Sequence, residues 1–235
     1  MIVLDNLYID VDKQHGCVEL IDAMQMAPVQ KTVRSARVSY ARDTLESTAA
    51  RDSKLLRSLA RENHWSPYRH SPITLHISCP EFIARQWYKH VVGSSYSFID
   101  TGWNELSQRY SLVDKFYLPE ALHYQSGTNH QGAAGYHANS DALREQLATV
   151  NKRAAETYNM LITAGVAKEE ARMCLPLSVY TRFYWTASQQ ALWHFVQLRR
   201  APGAQGAIRL YAEAVNEICR IHYKDAWQAI QEQQQ

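Results

Sequence analysis

No run of apolar residues in this sequence approaches the ~18–20 needed to cross a bilayer, so no membrane-spanning helix is expected. An excess of one charge is also missing. Twenty-five Lys and Arg face 23 Asp and Glu, a formal net charge of +2, which argues against a generic binder of nucleic acid or membrane surface. Glycine and proline are sparse, 9 and 7 among 235 residues, and no repeat is visible, which excludes collagenous, disordered and solenoid chains. The opening Met1-Ile-Val-Leu-Asp-Asn lacks a basic stretch before an apolar core, so no signal peptide is expected. The only cysteines, Cys17, Cys79, Cys174 and Cys219, are far apart and form no C-x-x-C pair. They read as reduced thiols of a cytoplasmic protein rather than zinc ligands or a disulfide framework, and no metal site is expected.

What the chain does have is 46% hydrophobic residues, with 14 Tyr and 6 Trp. That is ample for one large core. Cys17–Met24 and Ile73–Ser78 alternate as strands, and Ser178–Thr186, rich in β-branched and aromatic residues, reads as a third. Its Phe183-Tyr184-Trp185 run is expected in the sheet core. Val33–Tyr40 reads as a helical turn running into a loop, and Ser53–Glu62 as a short amphipathic helix. Cys79-Pro80-Glu81-Phe82 is a helix start, and that helix is expected to reach about His90. Val92–Trp103 reads as an ordered loop and His123–Ser140 as a mobile surface loop. Asp141–Thr163 carries Leu143, Leu147, Val150, Ala154, Tyr158 and Leu161 at helical spacing and ends at Gly165. Ala167–Cys174 is a shorter helix, Ser188 caps a helix over Gln189–Leu198, and Gln205–Ile230 is largely helical. Strands and helices mix without βαβ alternation, so the fold class is α+β, a central mixed or antiparallel sheet flanked by helices in a single domain over 1–235.

Two stretches hold more polar side chains than a bland helix needs. In Arg85-Gln86-Trp87-Tyr88-Lys89-His90, helical spacing puts Arg85 with Lys89 and Gln86 with His90. Such a surface suits an anion and a flat polar heterocycle, and equally suits plain solvation. Asn104-Glu105-Leu106-Ser107-Gln108-Arg109-Tyr110 supplies an amide, a carboxylate, a hydroxyl and a guanidinium able to satisfy a pyrimidine and a phosphate. Isolated histidines carry less weight. His76, alternating with apolar neighbours, reads as structural, and His123, His130 and His137 lack metal-ligand spacing.

In combination, RQWYKH followed by NELSQRYS resembles the signature of the flavin-dependent thymidylate synthases, the ThyX family. Ala36-Arg-Val-Ser-Tyr40, His64-Trp-Ser-Pro67 with Arg69-His70, Arg172-Met-Cys-Leu-Pro176, Tyr180–Thr186, Leu192-Trp-His-Phe195, Leu198-Arg199 and Ala204-Gln205 fall in family order over residues 17–215. The resemblance implies synthesis of dTMP from dUMP, with methylenetetrahydrofolate as one-carbon donor, NADPH as reductant and bound FAD as cofactor. It also implies a homotetramer with inter-subunit active sites, and the balanced charge gives no expectation of nucleic acid or membrane as a partner. Carried over residue by residue, dUMP contacts fall on Gln86, Lys89, Glu105, Ser107, Arg109, Arg172 and Arg199, with Arg199, Ser107 and Glu105 at the chemistry. FAD contacts fall on Ser39, His64, Ser66, His90, Val91, Val92, Glu105, Ser188, Gln190 and His194.

The flavin half departs from the family pattern. The usual Arg-His-Arg is Lys89-His90-Val91, and positions usually Asn, Arg and His hold Ser188, Gln190 and Gly203. Replacing Arg by Val removes a charge and up to five donors. The Val92–Trp103 connection is also several residues longer than usual. Either its hydroxyls and aromatics replace lost flavin contacts, or the reaction differs. The latter leaves open a C5-methylase or hydroxymethylase of UMP or dCMP, or a nucleotide-binding homologue with impaired flavin chemistry.

Overall fold

The structure, a computed structural model, describes residues 7–38, 48–90, 103–106, 114–127 and 132–233. Its centre is a five-stranded antiparallel sheet in the order β1-β2-β3-β7-β4. These strands are β1 (Tyr8–Asp10), β2 (Cys17–Ala23), β3 (Ile73–Pro80), β4 (Trp103–Glu105) and β7 (Tyr180–Ala187). The middle pair sets the register, with Ile73 opposite Ala187, Leu75 opposite Trp185 and Ile77 opposite Phe183. All six side chains are buried, because period-2 alternation sends them to one face. The other face is polar: Thr74 and Thr186 share a hydroxyl hydrogen bond of 2.9 Å, and His76 pairs with Glu19 at 3.3 Å. Tyr184 also lies there, 48% exposed, so the expected core run of three aromatics is two core residues flanking an outward one. Alternation, not composition, decides.

Helices α3 (Glu81–Trp87), α6 (Gln189–Arg200) and α7 (Gly206–Tyr223) contribute to the same main core. There Trp87 stacks on Phe195 at 4.2 Å and meets Phe183 and Trp185 edge-on at 5.5 and 5.6 Å. The segment expected as a turn and loop from Val33 is instead helix α1 (Pro28–Val38), started by Pro28 and burying Thr32, Val33 and Ala36. Helix α2 (Ala49–Arg61) begins earlier than expected because the Thr48 hydroxyl accepts from the Arg51 amide. Helix α8 (Asp225–Gln233) is separated from α7 by Lys224, which adopts a positive φ of 46° and splits the expected continuous helix.

The polar stretch expected to be a mobile loop contains a paired hairpin, β5 (His123–Gln125) with β6 (Ala133–Tyr136). Ring pairs His123–Tyr136 at 4.9 Å and Tyr124–His137 at 4.4 Å hold it, cross-strand contacts that composition does not reveal. Helix α4 (Ser140–Thr163) forms as expected, and Gly165, at φ +83°, terminates it. Much of its apolar stripe is exposed: Leu143, Leu147 and Val150 face solvent, and Tyr158 alone among its residues is buried. The short helix α5 (Lys168–Ala171) continues as a 3-10 turn over Arg172–Cys174. Cys17, Cys79 and Cys219 are buried, Cys174 is half-buried, and all four are free.

One polar junction ties the sheet edge to α7. Asp12 accepts the Tyr180 hydroxyl at 2.6 Å and the Tyr211 hydroxyl at 3.2 Å on one oxygen. Its other oxygen accepts the amides of Gln14, His15 and Gly16. Burial pushes the Asp12 carboxyl up, but the bonds from Tyr180, Gly16, Gln14 and Tyr211 outweigh this and hold its pKa below the usual value. A Cβ at Gly16 would run into the Tyr211 hydroxyl and the Asp12 carboxylate. Gly16→Ala is therefore expected to cost about 1–3 kcal/mol, as overpacking does, and to lower Tm by several degrees in thermal unfolding. An unchanged Tm would contradict this tight junction.

Candidate functional site

Both helices that carry the candidate residues leave the central strands directly. Helix α3 starts at the end of β3, where the Glu81 and Phe82 amides donate to the carbonyls of Val179 and Leu177. It buries Ile83, Ala84 and Trp87, leaving Arg85, Tyr88 and Lys89 exposed. The helix ends at Trp87, short of the expected His90, and a turn follows in which the His90 amide donates to the Trp87 carbonyl at 2.8 Å. Helix α6 starts at Ser188, whose hydroxyl accepts from the Ala191 amide, and ends in Arg199 and Arg200, cations suited to a helix C-terminus.

Between the turn after α3 and one side of α6, Lys89, His90, Ala191, His194, Gln197, Leu198 and Arg199 line an open cleft of about 430 Å³. Arg199 Nε donates to His90 Nε2 at 2.9 Å, and Nη2 donates to the Gln86 carbonyl at 3.4 Å. Burial, then Arg199 and His194, pushes the His90 pKa down to about 4. His90 is thus neutral near pH 7, with its proton on Nδ1 because Nε2 accepts. His194 is lowered by burial and by Arg69, and it meets Trp65 edge-on at 5.8 Å. Burial also lowers the Arg199 pKa. Gln86 Oε1 is buried without a hydrogen-bond partner, and a buried acceptor left without a donor costs about 1–3 kcal/mol.

A second polar group lies nearer the start of α3. Glu105 on β4 accepts the Thr181 hydroxyl at 2.8 Å. Burial, and then the Glu105 carboxylate, raises the Glu81 pKa, while Arg85 and Arg172 pull it partly back. At 1.5 Å per helical residue, Glu81 and Trp87 stand about 9 Å apart along α3, and His90 lies in the turn beyond. The structure therefore brings Lys89, His90, His194 and Arg199 together, with Gln86 attached through its backbone. Arg172 and Glu105 belong to the other group and do not line the cleft.

The remaining candidates separate further. Ser188 is committed to capping, and Gln190, 5% exposed, accepts from Arg69 Nε at 2.5 Å. His64 and Ser66 are exposed at the entry to the 3-10 turn Ser66–Arg69. Ser39, Val91, Val92, Ser107 and Arg109 lie outside the described residues. The sequence motifs give no role to Ala191 and Gln197 in the lining or to Glu81 beside Glu105, and they include Leu198 and Arg69 without assigning either a contact. Among the described residues no group of three His, Cys, Asp or Glu could hold a metal ion, and no helix is long and apolar enough to cross a membrane.

A family model described as thymidylate synthase complementing protein (Thy1) matches residues 19–223. A flavin-dependent thymidylate synthase of Thermus thermophilus is 40% identical over 218 residues, covering 92% of this chain and 76% of that protein. One of Thermotoga neapolitana is 36% identical over 206 residues, covering 87% and 86%. Among solved structures, a UMP/dUMP methylase, PolB, from Streptomyces cacaoi, bound with 5-Br dUMP, superposes with a TM-score of 0.81 at 28% identity. It covers 95% of this chain and 97% of that one. With a family match across most of its length and relatives of this identity, the chain belongs to the flavin-dependent thymidylate synthase family.

Proposed function

We propose that the protein methylates C5 of dUMP to give dTMP, with FAD bound, methylenetetrahydrofolate as one-carbon donor and NADPH as reductant. The observation that carries this reading is the half-buried Arg199 anchored at the cleft by His90 and the Gln86 carbonyl. A nucleoside monophosphate brings close to two negative charges on its phosphate, which Lys89 suits as a donor, and carbonyl oxygens on its base, which Arg199 suits. The uncharged rings of His90 and His194 and the apolar Ala191 and Leu198 suit a planar heterocycle such as a flavin. When bound, the flavin supplies hydride chemistry, and the protein supplies orientation and charge. Arg199 near the uracil oxygens would stabilise negative charge as C5 becomes nucleophilic. Ser107, Arg109, Arg172 and Glu105 are the further proposed nucleotide contacts; Arg172 and Glu105 do not line this cleft and would reach the nucleotide from a second protomer.

The cleft is open rather than enclosed, which suits a site completed by a second protomer. The exposed Leu143, Leu147 and Val150 on α4 are surface that such a homotetramer would cover. Four free thiols accord with a cytoplasmic setting. UMP is the second reading, favoured by the solved UMP/dUMP methylase similar to this chain. The test is incubation with FAD, NADPH, methylenetetrahydrofolate and either dUMP or UMP, followed by mass spectrometry of the nucleotide. C5-methylated dUMP is expected. A colourless protein that takes up no flavin and methylates neither nucleotide would contradict the reading.

A further inference from the structure

Resting on the reading of the α3–α6 cleft as the nucleotide site, we propose that His90 is a positioning residue, a neutral acceptor whose Nε2 sets the direction of the Arg199 guanidinium. Arg199 is long and flexible, and a solvated arginine in the last turn of α6 would sample many rotamers. Here two fixed acceptors hold it, a ring nitrogen at 2.9 Å and the Gln86 carbonyl at 3.4 Å. The ring is itself fixed, edge-on to the buried Phe195 at 5.0 Å. Phe195 stacks on Trp87, so the direction of the guanidinium is referred to the core. With these two bonds made, Arg199 keeps its remaining N–H groups for a ligand.

The arrangement requires an uncharged His90. The charges acting on the ring are Arg199 and His194 from α6, with Lys89 beside it in its own turn and Arg69 behind His194. An imidazolium would have no lone pair for Arg199 and would set two cations in contact. Protonation therefore releases the guanidinium, and the pairing holds at neutral pH and fails in acid.

The test uses flavin-loaded protein and dUMP, with affinity read by titration at pH 8. His90→Gln keeps an acceptor near the Nε2 position and cannot ionise, so its affinity is expected within about threefold of wild type. His90→Leu removes the acceptor and is expected to weaken dUMP about tenfold or more, with Tm checking the fold. In an Arg199→Ala background, His90→Leu is expected to change affinity less than about twofold, because its effect acts through Arg199. Equal losses for His90→Gln and His90→Leu, or an undiminished loss without Arg199, would overturn the proposal. Nitrogen-15 NMR of the imidazole separates this from the site reading. A neutral Nδ1–H tautomer at pH 7 is expected without nucleotide, and an Nε2–H tautomer or an imidazolium would overturn the pairing itself. If that tautomer is found but wild type binds neither dUMP nor UMP, the site reading has failed, and the proposed role falls with it.

Discussion

Arg199→Ala is expected to lower kcat/KM for dUMP by about 10²–10³-fold while leaving the folded state intact. Arg199 is the cation that the structure holds most firmly at the cleft, through His90 and the Gln86 carbonyl. Charge-assisted hydrogen bonds contribute roughly 1.5–3 kcal/mol each, and an arginine reaching a carbonyl or phosphate makes one or two of them. The loss also frees His90 Nε2 and a carbonyl to attract water, so the cleft loses both charge and shape. Stability changes little, because the side chain is only half-buried and borders open space. Arg199→Lys is expected to recover only part of the activity, since a single ammonium cannot reach both acceptors and still present a fork to a ligand. Steady-state kinetics with matched thermal melts check this. An Arg199→Ala enzyme within tenfold of wild type would remove the residue from the chemistry.

Trp87→Ala is expected to be the most destabilising single change near the site, costing about 3–5 kcal/mol in denaturant unfolding. The indole is fully buried among Phe183, Trp185 and Phe195, and it ties α3 to both β7 and α6. Residues on either side of it, Gln86 and Lys89, carry candidate roles, so the cavity would loosen the site as well as the core. Trp87→Phe is expected to cost markedly less. Trp87 Nε1 is buried without an acceptor, and removing that unsatisfied donor offsets part of the lost packing. If both variants unfold at the wild-type denaturant midpoint, the aromatic cluster is not the keystone described here.

The fold was largely readable wherever one physical signal dominated. Alternation located β2 and β3, β-branched and aromatic content located β7, the cap at Ser188 located α6, and Gly165 marked the end of α4. The misses fall where distant partners decide. Helix α1 depends on burying Thr32, Val33 and Ala36 against the rest of the chain. The β5–β6 hairpin depends on ring pairs between strands whose residues look like loop formers. At the site, motif order indicated the α3 and α6 residues, but pairing of Arg199 with His90 required three-dimensional proximity across more than a hundred residues. Ser188 and Gln190 likewise have partners that the sequence does not reveal: one caps α6 and the other accepts from Arg69. Local chemistry was legible, and the assignment of each polar atom to its partner was not.

The most direct measurement is a crystal structure of the protein soaked with FAD and a pyrimidine monophosphate. The nucleotide is expected against Arg199 and Lys89, with the flavin ring beside His90 and His194 and Arg199 still donating to His90. Nucleotide density elsewhere, with the α3–α6 cleft holding only solvent, would contradict it.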